Sequence, residues 1–169
     1  MTQADFLSIV MPFKDKMFRL AKRLLVSREE AEDATQEILL KLWKNNSQIS
    51  NYKNVEAFSM TMTKNFCLDK LKSKHAQNLK IVHSNYQDKN ISLQKEVELR
   101  DSIDWVARIV EGLPEQQKII LQLRDVEQYD FKEMSKMLDM NETAIRVALS
   151  RARKTIREEL TKTHNYGVR

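Results

Sequence analysis

The stretch Phe131–Arg157, FKEMSKMLDMNETAIRVALSRARKTIR, constrains this chain more than any other. Apolar residues fall at Met134 and Leu138, at Met140, then at Ile145, Ala148, Leu149, Ala152 and Ile156. Spacings of three and four put each set on one face of a helix, so a short helix, a tight break and a longer helix are expected. Asp130 stands at the N-cap position with Glu133 three residues on, the pattern of a capping box. Asn141 is placed to cap the second helix. Ser135 is small where the helices must approach, and Asp139 takes a turn position usually held by Gly, which Asp reaches with some strain. This is the pattern of a helix-turn-helix, whose second helix enters a DNA major groove. A plain helical hairpin with a solvated basic face would share the period. Here, however, Arg146, Arg151, Arg153, Lys154 and Arg157 flank the apolar stripe, and Glu158 and Glu159 come only after them. That clustering suits phosphates along a groove and favours DNA.

Composition excludes much else. With 169 residues, a net charge of +5, two Gly and two Pro, the chain is expected to be all-α and mildly basic, one domain or two small ones. So few glycines leave no phosphate-cradling or dinucleotide-binding loop. Cys67 is the single cysteine, so neither an internal disulfide nor a thiolate metal cluster can form. His75, His83 and His164 lack ligand spacing and read as surface residues. No metal, no cofactor and no catalytic residue is expected, because no paired acids or activated nucleophile emerges. There is no signal peptide and no apolar run long enough to cross a bilayer, which points to the cytoplasm.

Along the first half, Phe6, Ile9, Val10, Phe13, Met17, Leu20 and Leu24 mark an amphipathic helix through Leu25, divided or kinked at Pro12. Ser27 with Glu30 forms a second capping box, opening a helix to about Lys44 with Ala31, Ala34, Ile38 and Leu42 inward. Asp33, Gln36 and Glu37 make a polar stripe on another side. On chemistry alone that stripe reads as a solvated face whose acids suit the first half of a helix. The polar loop Asn45–Asn54 follows, and Asn54 can cap a helix from Val55 to about Lys74. That helix has an apolar stripe at Val55, Phe58, Met62 and Phe66 and a polar side with Thr61, Asn65 and Lys72. Asp69 lies near the apolar stripe and would need a partner if buried. Tyr52 and the loop amides could hold unstacked bases, or form an ordinary connection.

Ser73–Ile91 loses the period and reads as a linker. It separates two helical units of about 75 residues, each marginal alone. The period resumes at Leu99, Ile103, Val106, Val110 and Leu113; Gly112 ends one helix and Pro114 starts the next. Ile119, Ile120, Leu123 and Val126 continue the core into the helix-turn-helix.

Taken together, AEDATQEILLKLW (Ala31–Trp43), TKNFCLDKLK (Thr63–Lys72) and Leu113–Arg153, in this order and spacing, resemble the extracytoplasmic-function group of bacterial RNA polymerase sigma factors, in the sigma-70 family. The resemblance covers nearly the whole chain. It implies sigma region 2 over residues 1–75, a flexible linker over 76–98 and sigma region 4 over 99–169. The implied function is promoter-specific initiation by a non-enzymatic subunit that binds core polymerase and reads −10 and −35 elements. Asp33, Gln36, Glu37 and Lys41 would dock on the β′ clamp helices, which reverses the solvated reading of that stripe. Asn51, Tyr52, Lys53, Thr61, Asn65 and Lys72 would hold the −10 element as a single strand with one base flipped out. Thr143, Arg146, Val147, Ser150, Arg151 and Lys154 would read the −35 duplex, and the second unit would also sit on the β flap. Many members are held inactive by an anti-sigma factor, a partner this resemblance brings with it.

The sequence departs from the family at Lys72 and Lys74, usually Arg, at Phe58, commonly Trp, and at Ala148, often basic. Bidentate phosphate contacts, pocket shape and −35 contacts are each affected. Two other functions fit the helix-turn-helix: a stand-alone regulator binding duplex operators with its first unit dimerising, and a helical adaptor with no DNA role. The first predicts tight duplex binding by the free protein; the second predicts little salt dependence.

Overall fold

The computed structural model describes residues 1–81 and 102–166. In chain order these form α1 (Gln3–Leu25), α2 (Arg28–Lys44), a single turn α3 (Asn46–Ile49), α4 (Val55–Ile81), α5 (Ser102–Glu111) and α6 (Glu115–Leu121). A π-helical turn (Gln122–Val126), α7 (Phe131–Leu138) and α8 (Glu142–Tyr166) complete the order. Among the described residues every regular element is helical, and no helix is long and apolar enough to cross a membrane. Most of the expected linker, from residue 82 onward, lies outside the described residues, as does Leu99.

The first unit is built on α1, which packs against both α2 and α4. Its inward row, Val10, Phe13, Met17, Leu20 and Leu24, is at most 4% exposed. That burial explains why α1 runs unbroken through Pro12, contrary to the expected division. A mid-helix proline costs ~3 kcal/mol, but Pro12 lies on the exposed side, where a carbonyl left without its helical donor can reach water. From α2, Ala31, Ala34, Ile38 and Leu42 enter the core as the period requires.

In α4 the stripe differs from expectation. The fully covered positions are Ser59, Met60, Thr63 and Cys67, while Val55, Phe58, Met62 and Phe66 are half-buried around them. Ser59 and Thr63 tolerate burial because each hydroxyl donates to the carbonyl four residues back, Val55 O at 2.7 Å and Ser59 O at 2.8 Å. Asp69 is exposed and needs no partner. The helix also continues to Ile81, past the expected end near Lys74. Lys74 helps hold this stretch by pairing with Glu30 of α2. Glu30 is therefore not the second half of a capping box: Ser27 Oγ accepts from its backbone N–H at 3.4 Å, but its carboxylate goes to Lys74.

In the second unit α8 packs against α5, α6 and α7. Ile145, Leu149 and Ala152 are at most 3% exposed, with Met134, Met137, Ile119, Ile120 and Leu123 also in the core. Val126, expected inward, is 49% exposed because the π-helical turn rotates it out of the row set by Ile119 and Leu123. Pro114 is the N-cap of α6, one residue before the position expected.

The two units share one continuous core, since the buried residues of α1, α2 and α4 connect to those of α6, α7 and α8. Helix α1 packs on α6 and on the π-helical turn, and α4 packs on α7. Polar groups line this junction. Arg19 grips Glu127 with two parallel hydrogen bonds of 2.7 and 2.8 Å, and the Glu127 side chain is 1% exposed. Buried Gln122 donates to Glu127 at 3.2 Å and accepts from Arg23 at 3.2 Å. On the other side, Glu56 accepts from Lys16 and from the Tyr129 hydroxyl, both at 2.7 Å. Burial opposes the charge on Glu56, but those two donors outweigh it and hold its carboxyl below the usual range. Burial first, and then the Glu56 carboxylate that accepts its proton, push the Tyr129 phenol well above its ordinary value.

Between α1 and α2 the backbone is strained. Val26 has φ 67° and ψ −41°, and Ser27 N–H donates to Leu25 O at 2.8 Å, closing a γ-turn around a β-branched residue. The Val26 side chain gains little in return, being 47% exposed. Val26→Gly is expected to stabilise the chain by about 1 kcal/mol, the relief of strain exceeding glycine's extra chain entropy. The urea midpoint measures this, and a fall in midpoint would show that no strain is stored at Val26.

Candidate nucleic-acid interface

The helix-turn-helix forms as its caps dictate. Asp130 accepts from Glu133 N–H at 2.7 Å, and the Glu133 carboxylate accepts from Asp130 N–H at 3.0 Å. Asp139 ends α7 in the left-handed conformation, φ 51° and ψ 48°, and Asn141 caps α8 by accepting from Ala144 N–H at 2.7 Å. Ser135 bridges the break, its hydroxyl donating to Met140 O at 2.5 Å. These bonds fix how far α8 stands out from the unit.

On α8, Thr143, Arg146, Val147, Ser150, Arg151 and Lys154 are all exposed. They form one ridge with two flanks. Thr143, Val147 and Arg151 border a groove with Pro114, Gln116 and Met140. Arg146 and Ser150 border another with Phe131, Arg153 and Arg157. Val147, 43% exposed, offers the kind of apolar contact that fits a thymine methyl, and the arginines can reach guanine edges or phosphates. Arg153 is engaged elsewhere, since both its Nε, at 3.1 Å, and its Nη2 bond the Asp125 carboxylate. Those hydrogen bonds hold its pKa above the ordinary value and remove it from the basic set read along the groove. Lys154 has only a loose contact of 3.9 Å with Glu158.

Phe131 is a residue the sequence did not single out. Two guanidiniums lie over its ring, Arg124 at 4.6 Å and Arg146 at 4.5 Å from the centroid. Arg124 is itself anchored, donating to Tyr129 O at 2.9 Å. The stack limits where Arg146, a long side chain, can point.

The first unit brings the second residue set together. Thr61, Asn65 and Lys72, spaced four and eleven along α4, share one side of that helix; Asn65 and Lys72 are exposed and Thr61 half-buried. The Thr61 hydroxyl donates to Ala57 O at 2.9 Å, so toward a ligand it can only accept. Asn51 and Lys53 are exposed just ahead of α4. Tyr52 stacks on Phe58 with ring centroids 4.1 Å apart and planes at 16°, so one of its faces is already used. Lys64 points away from this side and donates to Met137 O of α7 at 3.3 Å; burial there lowers its pKa.

Asp33, Gln36 and Glu37 are exposed together on α2. Beside them runs an apolar groove lined by Phe6, Leu7, Leu39, Leu40 and Trp43, where Phe6 and Trp43 meet edge to face at 5.1 Å. Leu7, Met11 and Leu40 are 43–54% exposed. The sequence signal was present but unused: these three fall outside the apolar stripes of their helices. Lys41 does not extend along the acids but leans toward α4, its Nζ 5.1 Å from the Phe66 ring. Among the described residues no group of His, Cys, Asp or Glu could hold a metal ion. Cys67 is fully buried, and burial pushes its thiol up to about 12.

Comparison with known proteins places these faces in context. A family model described as Sigma-70 region 2 matches residues 9–77, and one described as Sigma-70, region 4 matches residues 103–156. Among solved structures, the sigma factor RpoE of Bartonella quintana, crystallised with the anti-sigma factor NepR, has a similar fold. The TM-score is 0.73 at 15% identity, over 93% of this chain and 97% of that one. No curated protein matches by sequence.

A double-mutant cycle tests the Phe131 stack. Phe131→Leu keeps an apolar side chain but removes the ring, and is expected to weaken duplex binding by about 0.5–1 kcal/mol through Arg146. In an Arg146→Ala background the same change should have almost no further effect. Equal losses in both backgrounds would mean that Phe131 acts through packing alone.

Proposed function

The chain belongs to the sigma-70 family, carrying region 2 and region 4 in order as in the extracytoplasmic-function group, and from that premise we propose which surfaces serve promoter-directed initiation. The α2 face with Asp33, Gln36 and Glu37 docks on the β′ clamp helices. Its exposed acids suit a basic partner, and the adjoining apolar groove supplies the burial that surface charges alone cannot. Lys41 stands at the margin of this face. The side of α4 with Thr61, Asn65 and Lys72, together with Asn51, Tyr52 and Lys53, captures the parted −10 strand. Extruding a base costs a few kcal/mol, offset by stacking and edge hydrogen bonds, and the stacked Tyr52–Phe58 pair supplies aromatic surface beside that site. The α8 ridge reads the −35 duplex, and the second unit rests on the β flap.

No chemistry is assigned to the chain; its contribution is tethering. Polymerase holds two weak DNA-binding units on one promoter, so that the second contact is effectively intramolecular. As a polymerase subunit it acts in the cytoplasm. The Bartonella quintana structure, in which a sigma factor is bound to the anti-sigma factor NepR, supports an anti-sigma partner for this chain as well. The observation that carries the whole reading is the order of the two matched regions, each with most of its expected binding side chains exposed and only Tyr52 and Thr61 half-buried.

Mixing the protein with sigma-free core polymerase and a promoter library should yield defined start sites, and absence of both core binding and start sites would end the proposal. Arg146→Ala is expected to weaken −35-dependent initiation by about 1–3 kcal/mol, as for a lost bidentate contact to guanine. Unchanged initiation across promoter variants would remove Arg146 from the site. Asp33→Ala with Glu37→Ala should lower affinity for core while the circular dichroism spectrum stays the same. Unchanged core binding with unchanged helicity would overturn the docking assignment.

A further inference from the structure

Of the four arginines on α8, Arg153 alone is paired with a carboxylate among the described residues; Arg146, Arg151 and Arg157 are not. Asp125, on the π-helical turn, accepts from Arg153 Nε at 3.1 Å and from its Nη2. Those two parallel bonds use the same fork that would grip a phosphate. Arg153 nonetheless lines one groove with Arg146, Ser150 and Arg157, on a flank of the ridge that carries the −35 set. A guanidinium placed to meet a DNA backbone is thus engaged by a carboxylate of its own chain.

The pair does little for the fold. Its side chains are 49% and 35% exposed, and ion pairs this wet add little to stability. Helix α8 is placed by Ile145, Leu149 and Ala152 in the core, and the capping box of α7 closes through Asp130 and Glu133 without it. What the Asp125 carboxylate changes is the charge of the groove. It cancels one positive charge there and fills the donor fork that a phosphate would otherwise occupy. The other acids of this region are committed differently: Asp130 and Glu133 bond each other's backbone N–H groups, and Glu158 lies 3.9 Å from Lys154.

We propose that Asp125 limits the grip of α8 on duplex DNA by occupying Arg153, so that one phosphate contact within the helix's repertoire is withheld. The inference rests on the −35 contact proposed above for α8, and adds the residue that sets how strong that contact is. A cation on a phosphate binds every sequence alike, raising non-specific affinity as much as specific. Competing non-specific sites in a genome are in great excess. A chain with a stronger uniform grip would be held on DNA away from polymerase. With the grip kept weak, tethering by the enzyme decides where α8 engages.

The test titrates short fluorescent duplexes with the full-length chain and follows their anisotropy over a range of salt. Wild type is compared with Asp125→Asn, Asp125→Glu, Arg153→Ala and the double variant Asp125→Asn with Arg153→Ala, each checked for wild-type helicity. One duplex has random sequence; the other is drawn from the −35 position of a start site mapped with polymerase. Asp125→Asn should tighten both by a similar factor and steepen the slope of log K against log salt by ~0.9, the signature of one added phosphate contact. Its advantage over wild type should then be about threefold larger at ~50 mM than at ~200 mM salt. Asp125→Glu keeps the carboxylate and should hold the wild-type slope. In the Arg153→Ala background, Asp125→Asn should leave the slope unchanged. An unchanged or shallower slope for Asp125→Asn overturns the proposal. So does the same steepening without Arg153, which would assign the effect to the lost acid itself. A slope flattened by ~0.9 in Arg153→Ala alone also overturns it, because Arg153 would then already sit on a phosphate. If the slopes behave as expected but wild type binds both duplexes equally, Asp125 keeps its role and the −35 reading of α8 fails.

Discussion

Helix α1 has more to cover than its own unit can supply, and the rest of the structure follows from that constraint. Its inner row packs on α2 and α4, while its next face meets α6 and the π-helical turn. Units this small bury too little surface to be robust alone, and joining their cores across α1 is a direct remedy. The remedy carries charge with it. Arg19, Lys16 and Arg23 stand along the junction, and the second unit answers with Glu127 and Gln122 while Glu56 of α4 completes the ring around Tyr129. A carboxylate as buried as Glu127 holds its place because a planar fork meets it with two bonds, a geometry Lys could not reproduce.

Much of this was legible in the residues. The periods of α1, α2 and α8 placed Val10, Met17, Ile38, Ile145 and Leu149 in the core, and the capping residues Asp130, Asn54 and Asn141 all accept the bonds their positions suggested. Failures occurred where tertiary context outweighed local pattern. Pro12 argues for a break only if its neighbours lack a reason to stay helical, and Phe13 and Met17 supply one. The α4 stripe was misplaced because its innermost positions include Ser59 and Thr63, polar residues whose hydroxyls turn back on their own helix. Val126 falls outside the expected row because a π-helical turn accommodates one extra residue, a shift of register that no apolar period announces. The junction itself was invisible: Arg19, Glu56 and Glu127 lie 37 to 108 residues apart and look in sequence like ordinary surface charge.

The candidate binding faces divide the same way. Exposed polar side chains at helical spacing can be read from sequence, and the set on α8 and the set on α4 each fall on one side as expected. Side-chain direction cannot. Arg153 seemed one more groove cation until Asp125, on the π-helical turn, was found holding it. Lys41 seemed to extend the acidic stripe, yet it crosses to Phe66. The Phe131 stack joins residues 124, 131 and 146 from three elements and depends on how α7 and α8 are set against each other. Thus family resemblance and helical period locate a surface, while the competition among nearby charges decides which members of it remain available.

The burial of Cys67 has a use of its own. It is the only sulfhydryl in the chain, sits at 0% exposure on the innermost side of α4, and stays protonated at any ordinary pH. Reaction with a thiol reagent therefore requires α4 to come away from α1 and α2, even briefly. Pulling the second unit aside is a different motion. The chain thus contains a native clock for breathing of the first unit's interior, one that ticks without any engineered probe.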